Sequence, residues 1–173
     1  KELLTYLPNL EEVDLGSGLS VDEIRELQEL FPGLRINSRI TLSGTEYVLT
    51  DPIQDFSELN KSDINAAIDF LSLSNNTETI KVSEEIGLEN IEKMAEVCPA
   101  AVFDCEIDAY GKTVNLNSEE LNLRHIPVDD DGAFVRRLLP LMRNCVLLDM
   151  DSCGVDSETM AGIRDDFPEI KVV

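Results

Sequence analysis

Apolar residues recur along this chain in one fixed order: a short strand pattern, a helix pattern, a proline and a second strand pattern. Residues 145–173 show this order most clearly, with strand positions at Cys145, Leu148 and Met150. A short apolar run bounded by polar residues predicts a strand, whereas apolar residues three and four apart predict one face of a helix. The segment therefore predicts a strand, a helix packed on it and the start of another strand.

The same order is present twice earlier in the chain. The strand positions share one spacing in Leu10-x-x-Val13-x-Leu15, Thr77-x-x-Ile80-x-Val82 and Cys145-x-x-Leu148-x-Met150. The helix patterns that follow end at Pro32, Pro99 and Pro168, which are 67 and 69 residues apart. A fixed period indicates repeated structural units. The predicted single repeat domain, 1–173, divides into units of about 1–67, 68–135 and 136–173. The last unit is incomplete, so we expect the chain to be a fragment of a longer array.

Each complete unit also contains a hairpin pattern and a second helix pattern. Alternating residues flank Ser43-Gly44 in the first unit and Tyr110-Gly111 in the second, and glycine suits a turn position with positive φ. The second helices are predicted at 63–73 and about 131–142. The helix starts have N-cap signals at Ser20 with Glu23 as a capping box, at Asp63, at Asp130 or Asp131, and at Asp156.

The charge balance narrows the classes of partner. The chain has 14 basic and 35 acidic residues, a net charge of −21, with 43% hydrophobic and 28% charged residues. This composition is typical of a globular protein, and it opposes binding to nucleic acid or anionic lipid, both of which require Lys and Arg. No run approaches the ~18 apolar residues of a membrane span, so we expect no direct membrane insertion. The acidity provides either solubility or a surface for cations or basic partners.

The cysteines and the histidine do not form a metal-binding pattern. Cys98, Cys105, Cys145 and Cys153 contain no CxxC pair and occupy apolar positions of the repeat, which favours buried packing residues. Disulfides, in three conceivable pairings, are the alternative. The single histidine, His125, lies far from any cysteine spacing that suits zinc.

Two acidic stretches are candidate cation sites. Residues 149–154 match the first half of an EF-hand loop, but Met160 stands where the bidentate Glu belongs. The run Asp129-Asp130-Asp131 precedes a helix, where aspartates favour its positive end. The chain also has no nucleophile elbow and no phosphate-binding glycine loop. We therefore expect no metal, no cofactor and no enzymatic activity.

The strand spacing resembles that of the leucine-rich repeat family. Leu10-x-x-Val13-x-Leu15 and Cys145-x-x-Leu148-x-Met150 match its L-x-x-L-x-L motif, although Ser17 and Ser152 stand where the family has Asn. Residues 7–15 and 149–171 look like a long-period variant found in surface or secreted proteins of gut Clostridia. The resemblance implies an α/β fold, a right-handed solenoid of parallel strands and helices with a β-hairpin inserted in each unit of about 67 residues.

In such a solenoid, alternate strand residues point outward into a concave face that commonly binds ligands. The predicted binding residues on this face are Glu12, Asp14, Thr79, Lys81, Asn122, Arg124, Leu147, Asp149 and Asp151. Simple solvation of these side chains is an equal alternative. Tyr47 and Tyr110 lie on the two hairpins and are predicted contacts for a partner. Packing of each hairpin against the next helix is their alternative role.

These features predict a non-enzymatic binding module for protein–protein or cell-surface recognition, with a protein or a surface glycan as its ligand. The resemblance implies an extracellular or cell-surface location. The alternatives are a passive structural spacer of a surface protein and an acidic repeat that responds to calcium. A contiguous exposed patch near Leu147 would favour recognition, and an evenly polar surface would favour the spacer. A melting temperature that rises with Ca²⁺ would favour the third hypothesis.

Overall fold

The strands in the described part of the chain form four small sheets. A computed structural model describes residues 9–173. The elements in chain order are β1 (Glu12–Ser17), α1 (Val21–Leu30), β2 (Arg35–Leu42), β3 (Thr45–Val48), β4 (Ile53–Phe56), α2 (Ile64–Leu71), β5 (Thr79–Val82), α3 (Leu88–Val97), β6 (Val102–Asp104), β7 (Glu106–Ala109), β8 (Lys112–Asn115), β9 (Glu120–Asn122), α4 (Ala133–Leu138), β10 (Leu147–Asp149), α5 (Ser157–Asp166) and β11 (Lys171–Val172). Short 3-10 turns lie at Lys61–Asp63, Glu84–Ile86 and Leu139–Leu141.

Helical crossovers connect the parallel strands of each three-stranded sheet. The orders are β1–β2–β3, β4–β5–β6 and β9–β10–β11, and the fourth sheet is the hairpin β7–β8. All neighbours in the second and third of these sheets are parallel. In the first sheet, β1 and β2 are parallel whereas β2 and β3 are antiparallel. Each parallel connection passes through one α-helix, as a crossover requires.

The predicted leucine-rich-repeat-like right-handed solenoid is wrong, because its strands would pair into one continuous sheet. Strand pairing instead breaks between β3 and β4, between β6 and β7, and between β8 and β9. Side chains join the chain across the first and the last of these breaks. Gln54 Nε2 of β4 donates to the carbonyl oxygens of Val48 (2.9 Å) and Asp51 (3.0 Å), and Lys112 Nζ of β8 donates to the carbonyl oxygen of Asn122. Each hairpin reverses the chain where a parallel ladder would have continued. The result is a mixed α/β protein with separate sheets.

Both hairpins turn at the predicted positions. Ser43 and Gly44 have φ of 52° and 84°, and Tyr110 and Gly111 have φ of 57° and 82°. Positive φ at both central residues is the geometry of the two-residue turn that matches strand twist. The flanking strands pair antiparallel in both cases.

Each hairpin is tied to the helical segment that follows it by one aspartate, a contact that we call the hairpin clasp. In the first unit, Ser43 donates from its backbone N (2.8 Å) and its Oγ (2.7 Å) to Asp63 Oδ2. In the second unit, the Tyr110 hydroxyl donates to Asp130 Oδ1 at 2.6 Å. Ser43 and Tyr110 are 67 residues apart, as are Asp63 and Asp130. The clasp therefore belongs to the repeat, although its donor differs between units.

Of the predicted N-caps, Ser20 and Asp156 cap their helices through side-chain hydrogen bonds, whereas Asp63 does not. The capping box is confirmed, since the backbone N of Glu23 donates to Ser20 Oγ (3.3 Å) and the backbone N of Ser20 donates to Glu23 Oε2 (2.8 Å). Asp156 Oδ1 also caps its helix, accepting from the backbone N of Thr159 at 2.7 Å. Asp63 makes no side-chain capping hydrogen bond, because its carboxylate is used in the clasp.

One hydrophobic core lies against the inner faces of the sheets. Its fully buried side chains include Ile80 of β5, Phe103 of β6, Phe70 of α2 and Ile91 of α3. Each such residue contributes roughly 1.5–3 kcal/mol through burial. Because the core covers one face of β4–β5–β6, the alternating residues of these strands point away from it.

The four cysteines belong to this core. Cys98, Cys105, Cys145 and Cys153 are all buried and free. Burial raises the pKa of each thiol, and it raises that of Cys105 to about 11 with help from nearby carboxylates. The prediction that they are packing residues is confirmed.

Candidate binding surface

The outward residues of β4–β5–β6 form a row of alternating charge. In β4, Asp55 is exposed while its neighbours Gln54 and Phe56 are buried. Strand pairing places Asp55 beside Lys81 and Lys81 beside Asp104. A cation therefore lies between two carboxylates on a rigid sheet. We call Asp55, Lys81 and Asp104 the charged row.

The two carboxylates of the charged row accept hydrogen bonds within the protein, whereas the lysine has no ion pair among residues 9–173. Ser57 donates to Asp55 Oδ1 from Oγ (2.6 Å) and from backbone N (3.1 Å). These hydrogen bonds and the charge of Lys81 hold the pKa of Asp55 below its ordinary value. Asn115 Nδ2 donates to Asp104 Oδ1 at 3.1 Å. Among residues 9–173, however, Lys81 forms no ion pair within 4.0 Å, so its ammonium group is available to a ligand.

A cavity of about 400 Å³ adjoins the charged row. Its polar lining comes from Ser57, Lys81, Ser83, Glu84, Asp104, Glu106 and Asn115. Hydroxyl, amide, ammonium and carboxylate groups thus converge on one depression. Such a site is suited to hydrogen bonding and ion pairing with a polar ligand.

The predicted residues Glu12 and Asp14 lie on the outer face of β1, apart from this row. Glu12 pairs with Arg35 at 3.2 Å, and Asp14 pairs with Arg39 at 3.2 Å. Asp14 also accepts a hydrogen bond from Asn37 Nδ2 at 3.2 Å. Their charges are largely compensated within the same sheet, which weakens their case as ligand-binding groups.

Five other predicted residues come together on the sheet β9–β10–β11. Strand pairing places Leu147 beside Glu120 and Asp149 beside Asn122. Arg124 and Asp151 follow these strands and form an ion pair at 2.8 Å. Thr79, by contrast, lies on β5 beside Ile53 and Val102. The predicted site residues therefore lie on three separate sheets rather than on one ladder.

Several polar residues on these strands also form local turns with the backbone. A side-chain oxygen accepts a hydrogen bond from the backbone N two residues later in Asp14 to Gly16 (2.8 Å), Asp55 to Ser57 (3.1 Å), Asn122 to Arg124 (3.2 Å) and Asp149 to Asp151 (3.0 Å). Such turns are a common use of Asp and Asn at the ends of strands. Lys81 occupies the corresponding position of β5 and cannot make this turn, which sets it apart.

The hairpin tyrosines pack against their own protein. Tyr47 is 4% exposed and its ring lies 4.6 Å from that of Phe56. Tyr110 is half-buried, with its ring 5.6 Å from that of Phe134 in an edge contact. As partner contacts these predictions need correction, because Tyr47 is enclosed by the core and the Tyr110 hydroxyl is bound by Asp130. The alternative was packing of each hairpin against the next helix. It describes Tyr110, which contacts Phe134 of α4, whereas Tyr47 contacts Phe56 of strand β4.

A second depression was missed by sequence reasoning. It lies between the 3-10 turn Glu84–Ile86, the hairpin β7–β8 and α4, and it has a volume of about 360 Å³. We call it the acidic groove, and its lining residues are Glu84, Glu85, Leu88, Ile107, Asp108 and Phe134. Glu84 also lines the cavity beside the charged row. A comparison of the two units position by position would have singled out its three acids, because Ser17, Gly18 and Thr41 stand 67 residues before them.

The aspartate run at 129–131 has a structural role. Asp130 accepts hydrogen bonds from the backbone N of Gly132 (3.1 Å) and of Phe134 (2.9 Å) as well as from Tyr110. Within residues 9–173, no group of three or more His, Cys, Asp and Glu residues has an arrangement that could hold a metal ion. Over the same residues, every helix is too short or too polar to cross a membrane.

Comparison with known proteins identifies no relatives: no family model, curated protein or solved structure matches this chain.

Proposed function

We propose that this protein is a non-enzymatic binding module that recognises a protein partner. The observation that carries the proposal is the charged row: a lysine that has no ion pair among residues 9–173 and lies between two carboxylates beside a polar cavity. The row is mounted on three hydrogen-bonded strands whose other face is buried. The sheet fixes the backbone of all three residues, so binding costs only side-chain conformational freedom, which favours affinity.

The overall charge supports a partner with basic groups. A net charge of −21 attracts cationic surfaces over the range of the Debye length and accelerates their encounter. Lys81 of the charged row adds one positive charge to this acidic surface. That charge would fix the register of a basic partner that the rest of the surface attracts. By its resemblance to surface proteins, we propose an extracellular or cell-surface setting for this interaction.

A passive spacer is the second candidate function. It is favoured by the face of β1–β2, where Glu12 and Asp14 already pair with arginines of the same sheet. When the charged groups of a surface already pair with one another, few of them remain to bind a ligand. The two functions therefore predict different behaviour of the charged row.

Selection of peptides from a displayed random library tests the proposal. Enriched peptides are measured against the wild type, against a row variant (Lys81→Met with Asp104→Asn) and against a control variant (Arg143→Met with Asp165→Asn). Arg143 and Asp165 are exposed, and both variants leave the net charge unchanged. We expect the row variant to weaken binding by ~10-fold or more, as loss of a central polar contact does. Failure to enrich any peptide, or equal loss in both variants, would support the spacer.

A further inference from the structure

We infer that the acidic groove binds a basic side chain and a neighbouring aliphatic side chain of a protein partner. This inference rests on the proposed function and deepens it by naming a second contact surface and the chemistry of its occupant. The groove adjoins the cavity of the charged row through Glu84, so one polypeptide segment could cross both.

The groove has an apolar floor and an acidic rim. Leu88, Ile107 and Phe134 form the floor, and Glu84, Glu85 and Asp108 supply the carboxylates. No Lys or Arg lines the groove, so its charge is uncompensated within its own walls. Arg and Lys combine an aliphatic stem with a cationic head, which matches a floor and rim of this kind.

The carboxylates are free to accept such a ligand. Within residues 9–173, the side-chain carboxylates of Glu84 and Glu85 form no hydrogen bond and no ion pair. Asp108 uses Oδ1 to accept from the backbone N of Gly111 at 3.0 Å, and its other oxygen remains unbound there. A guanidinium group can therefore form new charge-assisted hydrogen bonds without displacing internal ones.

The aromatic ring of the floor is held in place before binding. Phe134 makes an edge contact with Tyr110, with ring planes at 80°, and the Tyr110 hydroxyl is held by Asp130. The backbone N of Phe134 donates to the same aspartate. A fixed and partly exposed ring offers a cation a favourable contact at little entropic cost.

The first unit provides an internal comparison. The floor positions Leu88 and Ile107 correspond to Val21 and Ile40, so their apolar character belongs to the repeat. The three rim acids instead correspond to Ser17, Gly18 and Thr41, and Phe134 corresponds to Ala67. Asp108 and Phe134 lie on a hairpin strand and a helix that both units share, so neither residue is needed to build these elements. Glu84 and Glu85 lie on a 3-10 turn that the first unit lacks at residues 17–19. The presence of Asp108 and Phe134 in the second unit points to a ligand.

A second copy of this chain does not fit the groove. Two chains of net charge −21 repel each other, and the acidic rim would face another acidic surface. The occupant is therefore a basic segment of a different protein.

The test is a titration of isotope-labelled protein with the peptide acetyl-Gly-Arg-Leu-Gly-amide, followed by backbone amide NMR at low ionic strength. We expect chemical-shift changes that concentrate at residues 84–88, 107–108 and 134. The same peptide with Glu in place of Arg should leave these signals unmoved. Shifts that map elsewhere, or no saturable shifts, would overturn the inference.

Matched variants then separate a specific site from general attraction. The groove variant is Glu84→Gln, Glu85→Gln and Asp108→Asn, which keeps side-chain size and the acceptor of residue 108. The control variant is Glu96→Gln, Asp165→Asn and Glu169→Gln, three exposed acids that give the same change of net charge. We expect the groove variant to bind ~10-fold more weakly, since each exposed ion pair contributes a factor of a few. Equal weakening in both variants would show that the peptide binds through nonspecific electrostatic attraction and not at the groove.

The two proposals fail in different ways. If library peptides require Lys81 for binding but the arginine peptide does not bind at the groove, the proposed binding module stands and the inference about the groove is refuted. If neither kind of peptide binds, the protein-binding function itself fails.

Discussion

At the scale of single residues, the most informative contact is the hydrogen bond between Tyr110 and Asp130. Burial of the tyrosine raises its pKa, and the adjacent carboxylate raises it further. For Asp130, burial acts to raise the pKa, but hydrogen bonds from Tyr110, Phe134 and Gly132 outweigh it and lower the pKa. Both shifts favour a neutral tyrosine that donates to an ionised aspartate.

A double-mutant cycle of Tyr110→Phe and Asp130→Asn measures this contact. At pH 7 we expect a coupling free energy of ~1 kcal/mol in urea unfolding, the usual contribution of a partly exposed hydrogen bond. Because the folded pKa of Asp130 is lowered, its stabilisation is present above the unfolded pKa of about 3.9 and is lost as the pH falls through the folded value. The coupling should therefore shrink below about pH 4. A coupling near zero at pH 7 would show that the clasp is incidental.

The buried cysteines make a prediction that needs no mutation. Their raised pKa values and their burial should both slow reaction with a thiol reagent in the native protein at pH 8. Four thiols per chain should react once denaturant is added. Fewer than four in the unfolded, unreduced protein would reveal a disulfide and contradict the free-thiol core.

Sequence reasoning succeeded for residues whose partners lie within a few positions. Ser20 and Glu23 form their capping box through neighbouring backbone, so spacing alone identified it. The predicted N-cap at Asp130 or Asp131 is wrong, because Gly132 is the N-cap of this helix and no side chain caps it. Asp130 instead accepts a hydrogen bond from Tyr110, which is twenty residues away. The distant group that donates a hydrogen bond to such a carboxylate depends on how the hairpin folds back. The local sequence pattern does not encode this long-range contact.

At the scale of secondary-structure elements, the hairpin turns impose a backbone conformation that can be tested directly. Gly111 has φ of 82°, a region that disfavours residues with a Cβ atom. We expect Gly111→Ala to lower the free energy of unfolding by ~1–2 kcal/mol, measured by urea denaturation. Gly33→Ala is the matched control, because Gly33 lacks a positive φ and its added Cβ would meet no atom within 4 Å. Equal effects of the two changes would refute the turn as the cause.

The helices show how far pattern alone could define an element. The predicted helix at about 131–142 is an α-helix only over Ala133–Leu138, and a 3-10 turn at Leu139–Leu141 follows it. Pro140 lacks an N–H and cannot continue the α-helical ladder, which explains the early end. The apolar periodicity continues through the 3-10 turn, so periodicity overestimated the length of the α-helix. The hairpins were predicted correctly because their turn chemistry is local.

At the scale of the whole molecule, the apolar pattern indicated which residues are buried but not which strands pair. Buried positions such as Ile80, Leu121 and Leu148 fit the predicted inward positions of the strands. The pattern is the same whether or not β3 pairs with β4, since side chains such as Gln54 can satisfy the backbone between them. Continuity of the sheet was thus the part of the predicted architecture that the sequence could not establish.

The net charge makes the last prediction, which also distinguishes the calcium hypothesis from the others. Many carboxylates repel one another in the folded state, and salt screens this repulsion with a Debye length of about 10 Å at 0.1 M. We therefore expect the melting temperature to rise by a few degrees, on the order of 1 kcal/mol of stability, as NaCl is added. MgCl₂ and CaCl₂ at equal concentrations should then produce equal further changes, because residues 9–173 contain no preformed cluster of metal ligands. A rise specific to Ca²⁺, several degrees above that with Mg²⁺, would instead show binding to the folded state. It would assign the acidic surface to calcium rather than to a basic protein partner.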